Sequence, residues 1–135
     1  KPNTIAFIKR IRSLHYSISG RNYDLYEMQA RIIDFCSKYF LPAKVVRNVE
    51  LLSEEVLQIA PIDNGAELIL DYSESTEQVT LQLQVPYKGL VLGADEEPDM
   101  LSMAIINNIC SDVDEERISD DILSLRFTLK KISQQ

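Results

Sequence analysis

Glu54 and Glu55 are the side chains whose type and place come nearest to catalysis. A carboxylate held in a pocket acts as a general base or binds Mg²⁺. Both lie in KVVRNVELLSEEVLQI, Lys44 to Ile59, where Val45, Val49, Leu52, Val56 and Ile59 recur at spacings of three and four. That spacing is the apolar stripe of an amphipathic helix, with Glu50, Glu54 and Glu55 off the stripe. Neighbours on a helix do not face each other, so the pair is no acid–base couple; a solvated helix edge is the plain expectation. His15, the one histidine, has no Cys, Asp or Glu at ligand spacing and reads as an exposed sheet residue rather than a metal ligand. Asp95, Glu96, Glu97 and Asp99 form an acidic run without the Asp-x-Asp-x-Asp-Gly frame of a calcium loop. Met100 and Met103 read as core rather than as a ligand pocket. One His and two Cys leave no Ser-His-Asp or Cys-His set to propose.

The elements around that helix follow from periodicity. Thr4 caps a short helix through Ile5, Phe7, Ile8 and Ile11, and Leu14 to Ser19 alternates as a strand. Gly20 and Asn22 make a turn. Asp24 caps a second helix, whose Leu25, Met28, Ile32, Phe35 and Tyr39 share one face. Pro42 stops it and opens the Lys44 to Ile59 helix. Two alternating strands, Glu67 to Tyr72 and Val79 to Val85, form a hairpin through SESTEQ. Pro86, Gly89 and Gly93 open a loop that ends at Pro98 and Asp99. A helix follows, carrying Met100, Leu101, Ala104, Ile105, Ile109 and Val113. ILSLRFTLKK closes the chain as a strand.

Every strand so read has one apolar and one polar face. The expected class is α+β: a two-layer α/β sandwich, with a mixed or antiparallel sheet of about four strands and three helices on one face. A ferredoxin-like or ACT-like order, β-α-β-β-α-β, is the alternative if the two early helices count as one crossover. The other sheet face, with His15, Ser17, Gln82, Gln84, Arg126 and Thr128, meets water or a partner.

The 135 residues fit one core, and the 45% hydrophobic and 26% charged content is ordinary for a globular chain. A net charge of −7 disfavours nucleic acid, whose phosphates need clustered Lys and Arg. Lys9, Arg10, Arg12 and Arg21 read as a solvated basic face. No apolar run reaches the ~20 residues that span a bilayer. Cys36 and Cys110 each sit in an apolar helical pattern and read as buried thiols in a reducing compartment. A first residue of Lys rather than Met suggests an excised fragment, or a lost tag or initiator residue.

Two resemblances extend this reading. KPNTIAFIKRIRS, through Pro2, Thr4, Ala6, Phe7, Ile8, Lys9 and Arg10, resembles the stretch that closes the ATP-binding subunit of ABC transporters of the polar amino-acid uptake type. From Leu14 to Lys131, the element order resembles the ATPase fold of gyrase, histidine kinases and anti-sigma-factor kinases. In that family the long helix carries a Glu and, four residues on, an Asn that holds Mg²⁺. Here Glu54 would pair with Gln58, or Glu55 with Ile59, and neither register supplies the Asn. The family's Asp-x-Gly, whose Asp accepts from adenine, is matched by VPYKG, with Tyr87 or Pro86 for the Asp and Gly89 for the Gly. Where the family has a Gly-rich turn near phosphate, Glu96, Glu97 and Asp99 would repel it by roughly 1 kcal/mol or more per close pair.

The resemblances imply residues 1–13 as the tail helix of a preceding ABC ATPase domain and 14–135 as a C-terminal accessory domain that is no enzyme. They imply a regulatory or dimerisation role, a second copy as partner, and permease subunits reached through the parent. No nucleic acid and no membrane insertion are expected. ATP and Mg²⁺ would belong to the upstream domain, with no cofactor here, at the cytoplasmic side of the cell membrane. The alternatives are an ATP-binding anti-sigma-type kinase and an ACT-like amino-acid sensor.

Overall fold

The computed structural model describes residues 11–87 and 99–135. The expected first helix, Gly89, Gly93 and Asp95 to Pro98 therefore lie outside the described residues. The elements run β1 (Ile11–Ile18), α1 (Leu25–Lys38), α2 (Ala43–Ile59), β2 (Ala66–Ser73), β3 (Gln78–Pro86), α3 (Met100–Ile109), β4 (Cys110–Ser119) and β5 (Ile122–Leu129). The strands form one antiparallel sheet in the order β1-β2-β3-β5-β4. The class is α+β, an open sheet with helices packed on it.

The core follows the expected stripes. On α2, Val45, Val49, Leu52 and Val56 are buried, as are Met28, Ile32 and Phe35 on α1. The sheet answers with Leu70 opposite Leu81, and Leu83 opposite both Leu68 and Leu125. Burying one such side chain stabilises by about 1.5–3 kcal/mol, so the helix layer is held chiefly by this stripe-on-sheet contact. Asp24 caps α1 by accepting from the Glu27 amide at 3.0 Å. The outward set matches expectation: His15, Ser17 and Arg126 are exposed, and Gln82, Gln84 and Thr128 partly so.

Three readings are corrected. First, β1 begins at Ile11, not Leu14: Ile11, Arg12 and Ser13 pair with Ser73, Tyr72 and Asp71 instead of ending a helix. The longer β2 offers that register, and Arg12 gains Glu74 (3.6 Å) and the face of Tyr39. Second, α3 stops at Ile109, and Val113 lies on a strand. The corner is fixed by the Lys130 amide donating to the Ile109 carbonyl at 3.0 Å. The chain passes from helix to β4 with no intervening loop. Third, the buried positions of α3 are Ser102, Ile106 and Ile109, while Met100 and Leu101 are exposed. Met103 alone of the methionine pair packs on the core. The fifth strand, β4, carries no apolar alternation; every residue after Cys110 is exposed.

The α1–α2 turn is a Schellman motif. The Phe40 amide donates to the Ser37 carbonyl and the Leu41 amide to the Cys36 carbonyl, each at 3.1 Å. The left-handed position belongs to Phe40, at φ 57°. Glycine is the usual occupant, and a residue with a Cβ there costs about 1 kcal/mol.

Candidate functional site

α2 presents Glu54 and Glu55 a step of about 100° apart around its axis, so they leave on different flanks. Glu54 accepts from Gln29 Nε2 of α1 at 2.9 Å. Glu55 accepts from Ser102 Oγ of α3 at 2.7 Å. Both are partly buried rather than a solvated edge, which corrects the sequence reading. Each carboxylate pins a neighbouring helix to α2, and a charged acceptor makes such a bond stronger than a neutral one. Burial first, and the Glu54 carboxylate second, hold the Tyr23 hydroxyl above its ordinary value.

Among the described residues, the other positions that the resemblance assigns to a nucleotide site do not join this pair into a pocket. Gln58, one turn beyond Glu54, is exposed. Tyr87 sits at the exit of β3 and is tied to the β4–β5 hairpin. Its amide donates to the Asp121 carbonyl at 2.8 Å, and its carbonyl accepts from Arg117 Nη1 at 2.6 Å. Gly89 lies outside the described residues. Asp99 caps α3, its Oδ1 accepting from the Ser102 amide at 3.1 Å. A helix N-terminus attracts phosphate because its amides are unpaired and its dipole is positive. Here a carboxylate of the chain already occupies that place. Ser102, itself buried, links the two acids by taking Asp99 on its amide and giving its hydroxyl to Glu55.

Arg21 has a structural job at the far end of α2. Its guanidinium donates to the Leu57 and Ala60 carbonyls at 3.0 and 2.8 Å and pairs with Asp63 at 3.0 Å. It closes the carbonyls that a helix C-terminus leaves open. Arg21 is exposed, as expected of a solvated basic face, and Arg12 is half-buried, but both are engaged by acidic partners; Lys9 and Arg10 lie outside the described residues.

A shallow cleft of about 370 Å³ opens where β1 ends and β2 begins, lined among others by Ile18, Gly65, Glu67, Gln84, Pro86 and Ile122. Gly65 is required at its floor: at φ 92° an added Cβ would stand 3.1 Å from the Ile18 carbonyl. Glu67 at its rim accepts from Ser17 Oγ at 3.0 Å. Sequence reasoning missed the cleft, because its lining comes from strand ends far apart in the chain. It also missed Gln29 and Ser102, ordinary polar residues whose role appears only once the helices are side by side.

Cys36 and Cys110 are buried free thiols, and burial pushes both up to about 11. Among the described residues no group of three or more His, Cys, Asp or Glu side chains could hold a metal ion, and no helix is long and apolar enough to cross a membrane. No protein-family model matches the chain, and no curated protein matches it significantly.

Proposed function

We propose that this chain is a non-catalytic C-terminal regulatory or dimerisation domain of an ABC transporter ATP-binding protein. One observation carries the non-catalytic part: Glu54, Glu55 and Asp99 each accept a hydrogen bond that holds the fold together. A carboxylate engaged in that way has to break a structural contact before it serves water or Mg²⁺. The parent is supported by the resemblance of KPNTIAFIKRIRS to the closing stretch of polar amino-acid uptake subunits. In this reading ATP, Mg²⁺ and the permease subunits belong to the parent, at the cytoplasmic face of the cell membrane. The domain acts by binding a second copy and biasing how two ATPase subunits approach. A bias of a few kcal/mol in differential contact is enough to shift such an equilibrium.

Titration calorimetry with ATP and Mg²⁺ tests the loss of nucleotide binding. Absence of heat at millimolar nucleotide supports the reading; saturable binding removed by Glu54→Ala would establish the kinase alternative. Sedimentation equilibrium tests the partner, and a strict monomer at high concentration would retire the dimer-forming role. The cleft beside Gly65 favours a second reading, an amino-acid sensor. Its mixed lining of carboxylate, amide and aliphatic groups is of the kind that holds a small zwitterion. A rise in melting temperature with one amino acid, abolished by Glu67→Ala, would select that reading.

A further inference from the structure

The α1–α2 turn holds a residue that the fold does not need. Phe40 adopts a backbone conformation suited to glycine, and the residue is 92% exposed. A side chain that strains the backbone and leaves an aromatic ring in water adds nothing to the stability of the isolated chain. Cations flank it. Lys38 ends α1, and Lys44 and Arg47 lie in the opening turns of α2, all exposed. Asn48 Nδ2 donates to Gln135 Oε1 at 2.7 Å, and Gln135 Nε2 donates to the Lys130 carbonyl at 2.8 Å. Those bonds bring Lys130 and Lys131 to the same end of α2. Among the described residues none of these five cations pairs with a carboxylate, and Glu74 at this end is engaged by Arg12. Glu77, in the β2–β3 turn, is the acidic neighbour of the C-terminal pair, its carbonyl accepting from the Ile132 amide. Asp112, opposite Thr128 on the neighbouring strand, is a second acidic neighbour, while Asp114, Glu115 and Glu116 follow farther along β4. Asp114, Glu115 and Glu116 lie opposite Arg126, Leu125 and Ser124, about 13–20 Å along β5 from Lys130 at about 3.3 Å per residue, beyond the screening length of about 8 Å in physiological salt.

We infer that this end of the molecule docks on an anionic lipid surface, with Phe40 entering the headgroup layer and the five cations facing lipid phosphates. A bilayer receives a lone protruding ring without a matching hole. Its diffuse charge suits cations contributed by three separate segments. The cleft beside Gly65 lies at the opposite ends of the strands, so it offers no seat for a peptide reaching Phe40. The inference is independent of the parent transporter.

Co-sedimentation with phosphatidylcholine vesicles, with and without phosphatidylglycerol, tests it on the whole chain. Binding is expected to the anionic vesicles alone and to fall as salt is added. Phe40→Gly is expected to raise the melting temperature, by relieving the turn, and to weaken vesicle binding about fivefold. Lys44→Glu with Arg47→Glu is expected to weaken binding more than tenfold, at about fivefold per cation removed, with the far-ultraviolet spectrum unchanged. Failure to bind anionic vesicles at low salt overturns the inference, as does unchanged binding by Phe40→Gly. A lowered melting temperature for Phe40→Gly would make the ring part of the fold and overturn it too. Capture of polyglutamate in place of vesicles would assign this end to an acidic polypeptide instead.

Discussion

α2 and β4 stand at opposite extremes of the same molecule. α2 buries one face against the sheet and sends a carboxylate to each neighbouring helix. β4 belongs to the sheet chiefly by its backbone: it pairs with β5 along its length while its side chains, after Cys110, are exposed, Arg117 reaching the Tyr87 carbonyl. The difference shows two ways of joining a fold. One is through side-chain area removed from water, the other through main-chain hydrogen bonds at an edge. The acidic side chains of β4 also discourage a second strand from adding to that edge.

The contrast is sharpest in the response to truncation. Leu52→Ala, at a site with no exposure, should lower stability by about 2–5 kcal/mol through lost transfer energy and a residual cavity. The denaturation midpoint should move while the slope stays constant. A loss under about 1 kcal/mol would mean that α2 is not the centre of the core.

The next effect is alkaline. Both thiols ionise near 11 in the folded chain, against an ordinary value of 9.0. A raised folded value means that the thiols add no pH dependence below about 9. Stability is then lost as pH rises from 9 towards 11, because the unfolded chain ionises first. The slope should be on the order of 1 kcal/mol per pH unit for each thiol. Melting curves between pH 8 and 11 should flatten in Cys36→Ala with Cys110→Ala. Thiol reagents at neutral pH should label the native chain only as fast as it unfolds.

Smaller again is Ser102→Ala, which leaves Glu55 without its partner at the α2–α3 contact. It should cost about 1 kcal/mol, read from the same denaturation curves. The smallest effect belongs to β4: Glu115→Thr should stay within about 0.5 kcal/mol of the parent, as expected for a surface position. A large loss there would show that β4 is held by its side chains and remove the comparison.

What could be read from the residues divides along the same line. The α2 stripe, the alternation of β3 and β5, and the Asp24 cap were legible because each places its cause within a few residues of its effect. β4 was not, since SDVDEERIS buries nothing and so carries no periodicity. The Phe40 turn was signalled only by Pro42, because the left-handed residue is one that turn chemistry does not favour. The Arg21 clasp on α2 and the Ser102–Glu55 bond span 36 to 47 residues of sequence, beyond the reach of any local pattern. At the candidate site, Glu54 and Glu55 were legible as carboxylates off the apolar stripe; that they fasten α1 and α3 to α2 was not.

The direct passage from α3 into β4 has a mechanical meaning. A loop between two elements absorbs movement; a rigid corner transmits it. A displacement of α3 along its axis, imposed where Ser102 meets Glu55 of α2, is passed through Ile109 to the acidic border of the sheet. Helix and strand therefore form a single bent lever, with its handle among the packed helices and its working end in solvent.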